Sequence, residues 1–224
     1  MILAHHSIFS MYGFWLPNDP RGSGSDYLAQ WELFRFGPAT KVSTRHSVAT
    51  VEHDRAARLA AKTALKFPPV EINGRQAVAV VQGFGDAAND AGYAIHACAV
   101  LPDHVHLVIG AHRRGIRTIV GHLKSRATRA VKAAGLWVDD KQPLWGAHGW
   151  NVWLEADADV RRAIRYVEKN PLKEGKRVQR WSLVTPFDLD AAVRIAAQGS
   201  RPARRIGGAA LRSQQQKARR KRRG

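Results

Sequence analysis

Residues 93–109, YAIHACAVLPDHVHLVI, leave this chain few ways to fold. Two runs of β-forming residues, AIHACAV and HVHLVI, flank Leu101-Pro102-Asp103, a Pro-Asp turn that suits a tight antiparallel connection. Side chains alternate along a strand, so His104 and His106 share one face while Val105, Leu107 and Ile109 share the other. The apolar face needs helices to cover it.

The rest of the chain supplies partners for that hairpin. Leu3 to Phe14, LAHHSIFSMYGF, reads as a strand, and WLPNDPRGSGSD then breaks regular structure with Pro, Gly, Asn and Asp. Residues 26–73 show little pattern before HDRAARLAAKTALK, a short helix starting near His53 and closed by Pro68-Pro69. Between Arg75 and Ala91 the segment AVAVVQ is strand-like. Ala77, Val81, Phe84 and Ala88 nevertheless recur at helical spacing, and a helix is expected. Ile116, Ile119, Val120, Leu123, Ala127, Ala130 and Val131 mark a second helical stripe, with Gly135 as its stop. Trp150, Val152 and Leu154 alternate as in a half-buried strand. Asp157 or Asp159 is expected to cap a last helix that turns Val160, Ala163, Ile164 and Val167 to the core. Pro171 is expected to end it, because the residue before a proline is pushed out of the helical region. With an insertion at about 15–73 set aside, the order is βαββαβ plus one helix. That is an α+β fold: an antiparallel sheet with helices on one face, in the split βαβ arrangement.

Charge narrows the partners. The 36 Lys and Arg residues outnumber 18 Asp and Glu, for a formal net charge of +18. Ten of the basic residues lie between Arg201 and Arg223, leaving 26 basic against 18 acidic residues before them, still a net +8. Such a surface favours a polyanion, either nucleic acid or an acidic membrane. Residues 185–224 are expected to be a basic, disordered arm behind a folded unit at 1–184. Arg117, Lys124, Arg126, Arg129 and Lys132, on the outer side of the second helical stripe, are further candidates for phosphate contact. Most of the seven Trp residues are expected in the core, with some free to stack on unpaired bases. No apolar run nears the roughly 20 residues of a membrane span, and MILAHHSIFS lacks the basic-then-apolar form of a secretion leader. Cys98 is the only cysteine. A cytoplasmic protein without a membrane partner is expected.

Two constellations carry chemistry. Imidazoles stacked as in His104-x-His106 can converge on one divalent metal, or stand as an exposed pair on a half-solvated sheet. A third His two residues on, as nucleotide hydrolases of the histidine-triad type require, is replaced by Val108. A structural zinc site wants cysteines. In RRAIRYVEKNP, Tyr166 and Asn170 are i and i+4, one above the other at the edge of the apolar stripe. Asn170 offers a carbonyl oxygen as a third ligand, and the phenol of Tyr166 is then a nucleophile beside the metal, or else ordinary boundary packing. A metal that neutralises a phosphodiester's charge would let a phenol attack it. The resulting phosphotyrosine ester keeps about the energy of the broken bond, so the step reverses without ATP.

LPDHVHLVIG resembles the His-hydrophobe-His box of the HUH single-strand DNA transposases. IRYVEKNPLKEG, followed by Trp181, resembles the tyrosine helix of the REP-associated tyrosine transposases. The resemblance extends over roughly Ala4 to Val184. It implies a ferredoxin-like fold with a C-terminal tyrosine-bearing helix. It implies Tyr166 as the nucleophile that forms a 5′-phosphotyrosine link, with His104, His106 and Asn170 as ligands of Mg²⁺, for which Mn²⁺ can substitute. It implies single-stranded or hairpin DNA as partner, a nucleoid-associated location, and strand transfer as in transposition or repeat mobilisation. A replication-initiator or relaxase-like nickase, or a catalytically silent nucleic-acid-binding protein on the same fold, are the rivals. Monomer and homodimer both stay open.

Overall fold

The computed structural model describes residues 1–14, 16, 31–36, 54–137 and 139–199. Four strands, β1 (Ala4–Met11), β2 (Ile95–Val100), β3 (His104–Gly110) and β4 (Trp145–Leu154), form one antiparallel sheet in the order β2-β3-β1-β4. Between them run α2 (Gly74–Ala91) and α3 (Ile116–Ala133); α4 (Asp157–Lys173) follows β4. Connection and strand order together are the ferredoxin-like βαββαβ arrangement.

Local chemistry explains the boundaries. Asn73 and Gln76 form a reciprocal capping box at the start of α2, and Gly92 ends it in the left-handed region at φ 71°. The segment that looked strand-like is therefore helical. Gly135, at φ 66°, closes α3: its own N–H reaches Lys132 and the next N–H, of Leu136, reaches Val131. The β2–β3 connection is the expected turn, with the Leu101 N–H donating to the His104 carbonyl at 2.8 Å.

The two faces of the sheet are covered differently. Phe9, Met11, Val105, Leu107 and Ile109 meet Val80, Phe84, Ile119 and Leu123 of α2 and α3 in the larger core. A Cβ on Gly83 would stand 2.5 Å from the Ala127 Cα, so only glycine lets the two helices cross this closely. On the opposite face Ala4, Ala97, Ala99 and Val108 meet Val160, Ala163 and Val167 of α4. These sheet residues are mostly small, so α4 lies close to the strands and its polar side chains come within reach of β3.

Three expectations are corrected. The N-cap of α4 is Ala156, without a side-chain bond; Asp157 and Asp159 sit in the first turn, where they complement the helix dipole and pair with Arg161 and Arg162. Pro171 does not end the helix but lies within it, buried. Proline loses only one backbone bond there, and the stop comes at Gly175, where the N–H of Lys176 reaches the Pro171 carbonyl. The start of the expected arm is structured: Thr185 N–H donates to the Ile95 carbonyl, and α5 (Leu189–Gly199) packs Ala192 against the α4 side. Residues 200–224 lie outside the described residues. Of the insertion, a 3-10 turn at Trp31–Phe36 and α1 (Arg55–Thr63), capped by Asp54, are described. Leu16, Leu33 and Ala61 make a small cluster there. Among the described residues no helix is long and apolar enough to cross a membrane.

Candidate functional site

The face of the sheet beneath α4 gathers imidazoles. Strand alternation points His104 and His106 of β3 toward it, and register sets Ile8 of β1 beside His106, leaving His6 one position along on the same face. The His6 and His106 rings stack at 5.4 Å between centroids, and His104 and His106 stand at 4.9 Å. The ring of Tyr166, from α4, lies 5.7 Å from both His6 and His106. One helical turn on, Asn170 is 95% buried, deeper than an edge position suggests, while Tyr166 stays 42% exposed. Tyr166 thus borders a buried imidazole cluster and open solvent.

Hydrogen bonds fix how these rings can act. His6 Nε2 and His106 Nδ1 are 3.1 Å apart. Burial drives the His6 pKa down to about 4 and that of His106 well below its ordinary value, aided by the charges of His104, His6 and Lys173. Both rings are therefore neutral near pH 7. With the proton of His106 on Nδ1 and donated to His6, its Nε2 carries a free lone pair. His104 repeats the pattern, since its Nδ1 lies 2.6 Å from Asp103 Oδ1. An imidazole whose Nδ1–H is held by an acceptor is the usual state of a metal-ligating histidine. Asn170 Nδ2 is buried with no partner among the described residues, and rotation about χ2 exchanges the amide's nitrogen and oxygen. Asp103, His104 and Glu174 bring donor atoms within 4.8 Å of one another. Imidazoles, a buried amide and a carboxylate are a donor set that fits a divalent cation.

Around the phenol, Lys173 Nζ sits 4.1 Å from the Tyr166 ring centroid. Burial raises the Tyr166 pKa, so the resting side chain is a neutral phenol. Sequence reasoning brought His104, His106, Tyr166 and Asn170 forward, and the fold gathers the three rings and puts Asn170 one turn along α4. It missed His6, Asp103, Lys173 and Glu174. Alternation on the first strand was the available signal for His6, but only the strand register reveals whose face it shares.

Residues 72–169 match the family described as transposase IS200 like. Over this segment, a little under half of its length, the chain is similar to the IS200-like transposases. The match holds α2, the β2–β3 hairpin with His104 and His106, and α4 through Tyr166 as far as Lys169; it stops one residue before Asn170. Among solved structures, a REP-associated tyrosine transposase bound to a REP hairpin is 14% identical, covering 77% of this chain and 68% of that one at a TM-score of 0.43. A candidate transposase from Deinococcus radiodurans R1 is 14% identical, covering 80% of this chain and 94% of that one at a TM-score of 0.36. None of the curated proteins matches the sequence.

Proposed function

We propose that this chain is an IS200-like transposase that cuts and rejoins single-stranded DNA through a covalent bond to Tyr166. The observation that carries the reading is the meeting of Tyr166, from α4, with His106 and His6, from two different strands, at 5.7 Å between ring centroids. His104, His106 and Asn170 would hold a divalent cation, with Glu174 adding a carboxylate. Two nitrogen ligands make Mn²⁺ at least as good a fit as Mg²⁺. Such a cation neutralises the charge of the phosphodiester and so admits a nucleophile.

The residues then have defined tasks. The phenolic oxygen of Tyr166 attacks phosphorus; the bond from phosphorus to the 3′-oxygen breaks, and the fragment on the 3′ side of the cut stays on the enzyme through its 5′-phosphate, as a phosphotyrosine diester. The phenolic proton is lost to solvent, to which Tyr166 is open, and the freed 3′-oxygen takes up a proton. Lys173, above the ring, favours the phenolate as it forms and works against the effect of burial. Rejoining is the same step in reverse, with a 3′-hydroxyl attacking the diester. His6 and Asp103 hold the two ligand imidazoles in the productive tautomer. Hairpin or single-stranded DNA is the proposed partner, and the folded unit runs from the first strand through α5.

The test mixes protein, 5′- and 3′-labelled single-stranded DNA and Mg²⁺ or Mn²⁺, then separates the products on a denaturing gel. A protein–DNA adduct carrying the 3′-side label should form, disappear with EDTA and be absent in Tyr166→Phe. Equal adduct from wild type and Tyr166→Phe removes Tyr166 from the chemistry.

A further inference from the structure

The outer side of α4 carries a row of cations of which the chemistry above uses only Lys173. At 100° per residue, Lys169 and Lys173 fall within about 60° of Tyr166 around the helix, and Arg165 lies beside Lys169. All three cations are exposed. Their neighbours Arg161 and Arg162 are held by Asp157 and Asp159. Among the described residues no carboxylate pairs with Arg165, Lys169 or Lys173. Glu168 lies about 160° from Tyr166 around the helix and, although i+3 from Arg165, forms no ion pair with it, and Glu174 stands with Asp103 and His104. From Arg165 to Lys173 the row spans roughly 12 Å along the axis. Tyr166 stands along its margin, with the buried Asn170 on the far side of the phenol.

We infer that this row is the track for the backbone of the DNA strand being cut, so that one helix supplies both the nucleophile and the grip on the phosphates flanking the scissile one. The inference rests on the proposed role of Tyr166 for its register but not for its binding energy. A single strand needs such a grip, because it has no groove to dock into and its phosphates are its one constant feature. An unpaired cation that meets a phosphate displaces a counterion condensed on the strand; one already paired with a carboxylate does so less. The row therefore contributes to binding where Arg161 and Arg162 do not. On α3, by comparison, Arg126 and Lys132 are tied to Asp90 and Asp140.

The experiment is a salt titration of binding by fluorescence anisotropy, using labelled single-stranded DNA and full-length protein in EDTA so that no cutting occurs. Each phosphate contact to a single strand steepens the dependence of log K on log salt by about 0.7. Changing Arg165, Lys169 and Lys173 together to Ala should flatten the slope by about 2. Between 50 and 200 mM salt, wild type should then lose roughly 20-fold more affinity than the variant. Removing three other exposed charges, with Arg55→Ala, Arg75→Ala and Lys141→Ala, should change the slope by less than half as much. Replacing single phosphates beside the cut with neutral methylphosphonates should weaken wild type and leave the α4 variant unaffected. An unchanged slope in the α4 variant, or methylphosphonate penalties that persist in it, overturns the track. Tyr166→Phe should bind like wild type. No adduct from the wild-type protein, or equal adduct from wild type and Tyr166→Phe, with an intact slope difference tells against the catalytic reading and spares the track; a Tyr166-dependent adduct with no slope difference does the reverse.

Discussion

Replacing His6 by Leu tests the arrangement of the site most sharply, because His6 has no proposed contact with metal or DNA. In the native protein His106 Nδ1 lies 3.1 Å from His6 Nε2. Leucine takes away that acceptor. A buried N–H without a partner costs about 1–3 kcal/mol, and loss of a residue that orients a metal ligand costs about 10–100-fold in metal affinity. The two figures agree, since tenfold corresponds to about 1.4 kcal/mol. Metal-free His6→Leu escapes most of the penalty, because His106 can move its proton to Nε2; the bound state cannot, as Nε2 must keep its lone pair for the cation. The deficit should therefore appear in Mn²⁺ binding, followed by calorimetry at pH 7.5, and hardly in the stability of the protein in EDTA. His6→Gln restores an acceptor and should recover most of the affinity. Wild-type Mn²⁺ affinity in His6→Leu, or a Gln variant as weak as Leu, would refute the tautomer argument.

Other consequences can be checked independently. Asp103→Asn should also weaken Mn²⁺ binding about tenfold, because the carboxylate 2.6 Å from His104 Nδ1 is lost. Stability should fall as pH drops below 6.5: an unfolded histidine takes up a proton there, whereas buried His6 resists until about 4, so the unfolded state binds more protons and gains about 3 kcal/mol from this group. His5, His96 and His106 are displaced in the same direction. Urea titrations of metal-free protein at pH 7.5 and 4.5 should show the loss, and equal midpoints would contradict it. Gln179→Ala removes a side-chain amide that both accepts from the Val100 N–H and donates to its carbonyl; a loss of about 1–3 kcal/mol is expected in the same titration at pH 7.5. Gly83→Ala, whose new carbon meets the Ala127 backbone, should cost about 1–3 kcal/mol by forcing α2 and α3 apart.

How far the sequence discloses this site depends on the range of the interaction. Alternation along β3 and the four-residue step on α4 are local rules. They suffice to pair His104 with His106 and Tyr166 with Asn170 before any fold is known. The β2–β3 hairpin is equally local, announced by Leu101-Pro102-Asp103. His6 belongs to a different order of information: it meets His106 across 100 residues, through a register that depends on the whole strand order, and nothing within MILAHHSIFS states it. The side of the sheet that α4 takes is also non-local. Its stripe of Val160, Ala163 and Val167 demands burial without naming a face. The face is selected by size, since Ala4, Ala97 and Ala99 leave room for a helix while the opposite side is filled by Phe9, Leu107 and Ile109. Pro171 is a local rule overridden, because one missing backbone bond is a small loss in a helix whose flank is already packed. At α5 the signal was present: Asp188 caps the Ala191 N–H, and Leu189, Ala192 and Ala196 recur at helical spacing. It is short and borders the basic run from Arg201, whose composition masks it. What the fold adds to the local motifs is therefore acceptors for the ligand rings and a side for the tyrosine helix. Both come from strand order and side-chain size, which act only once distant segments share one sheet.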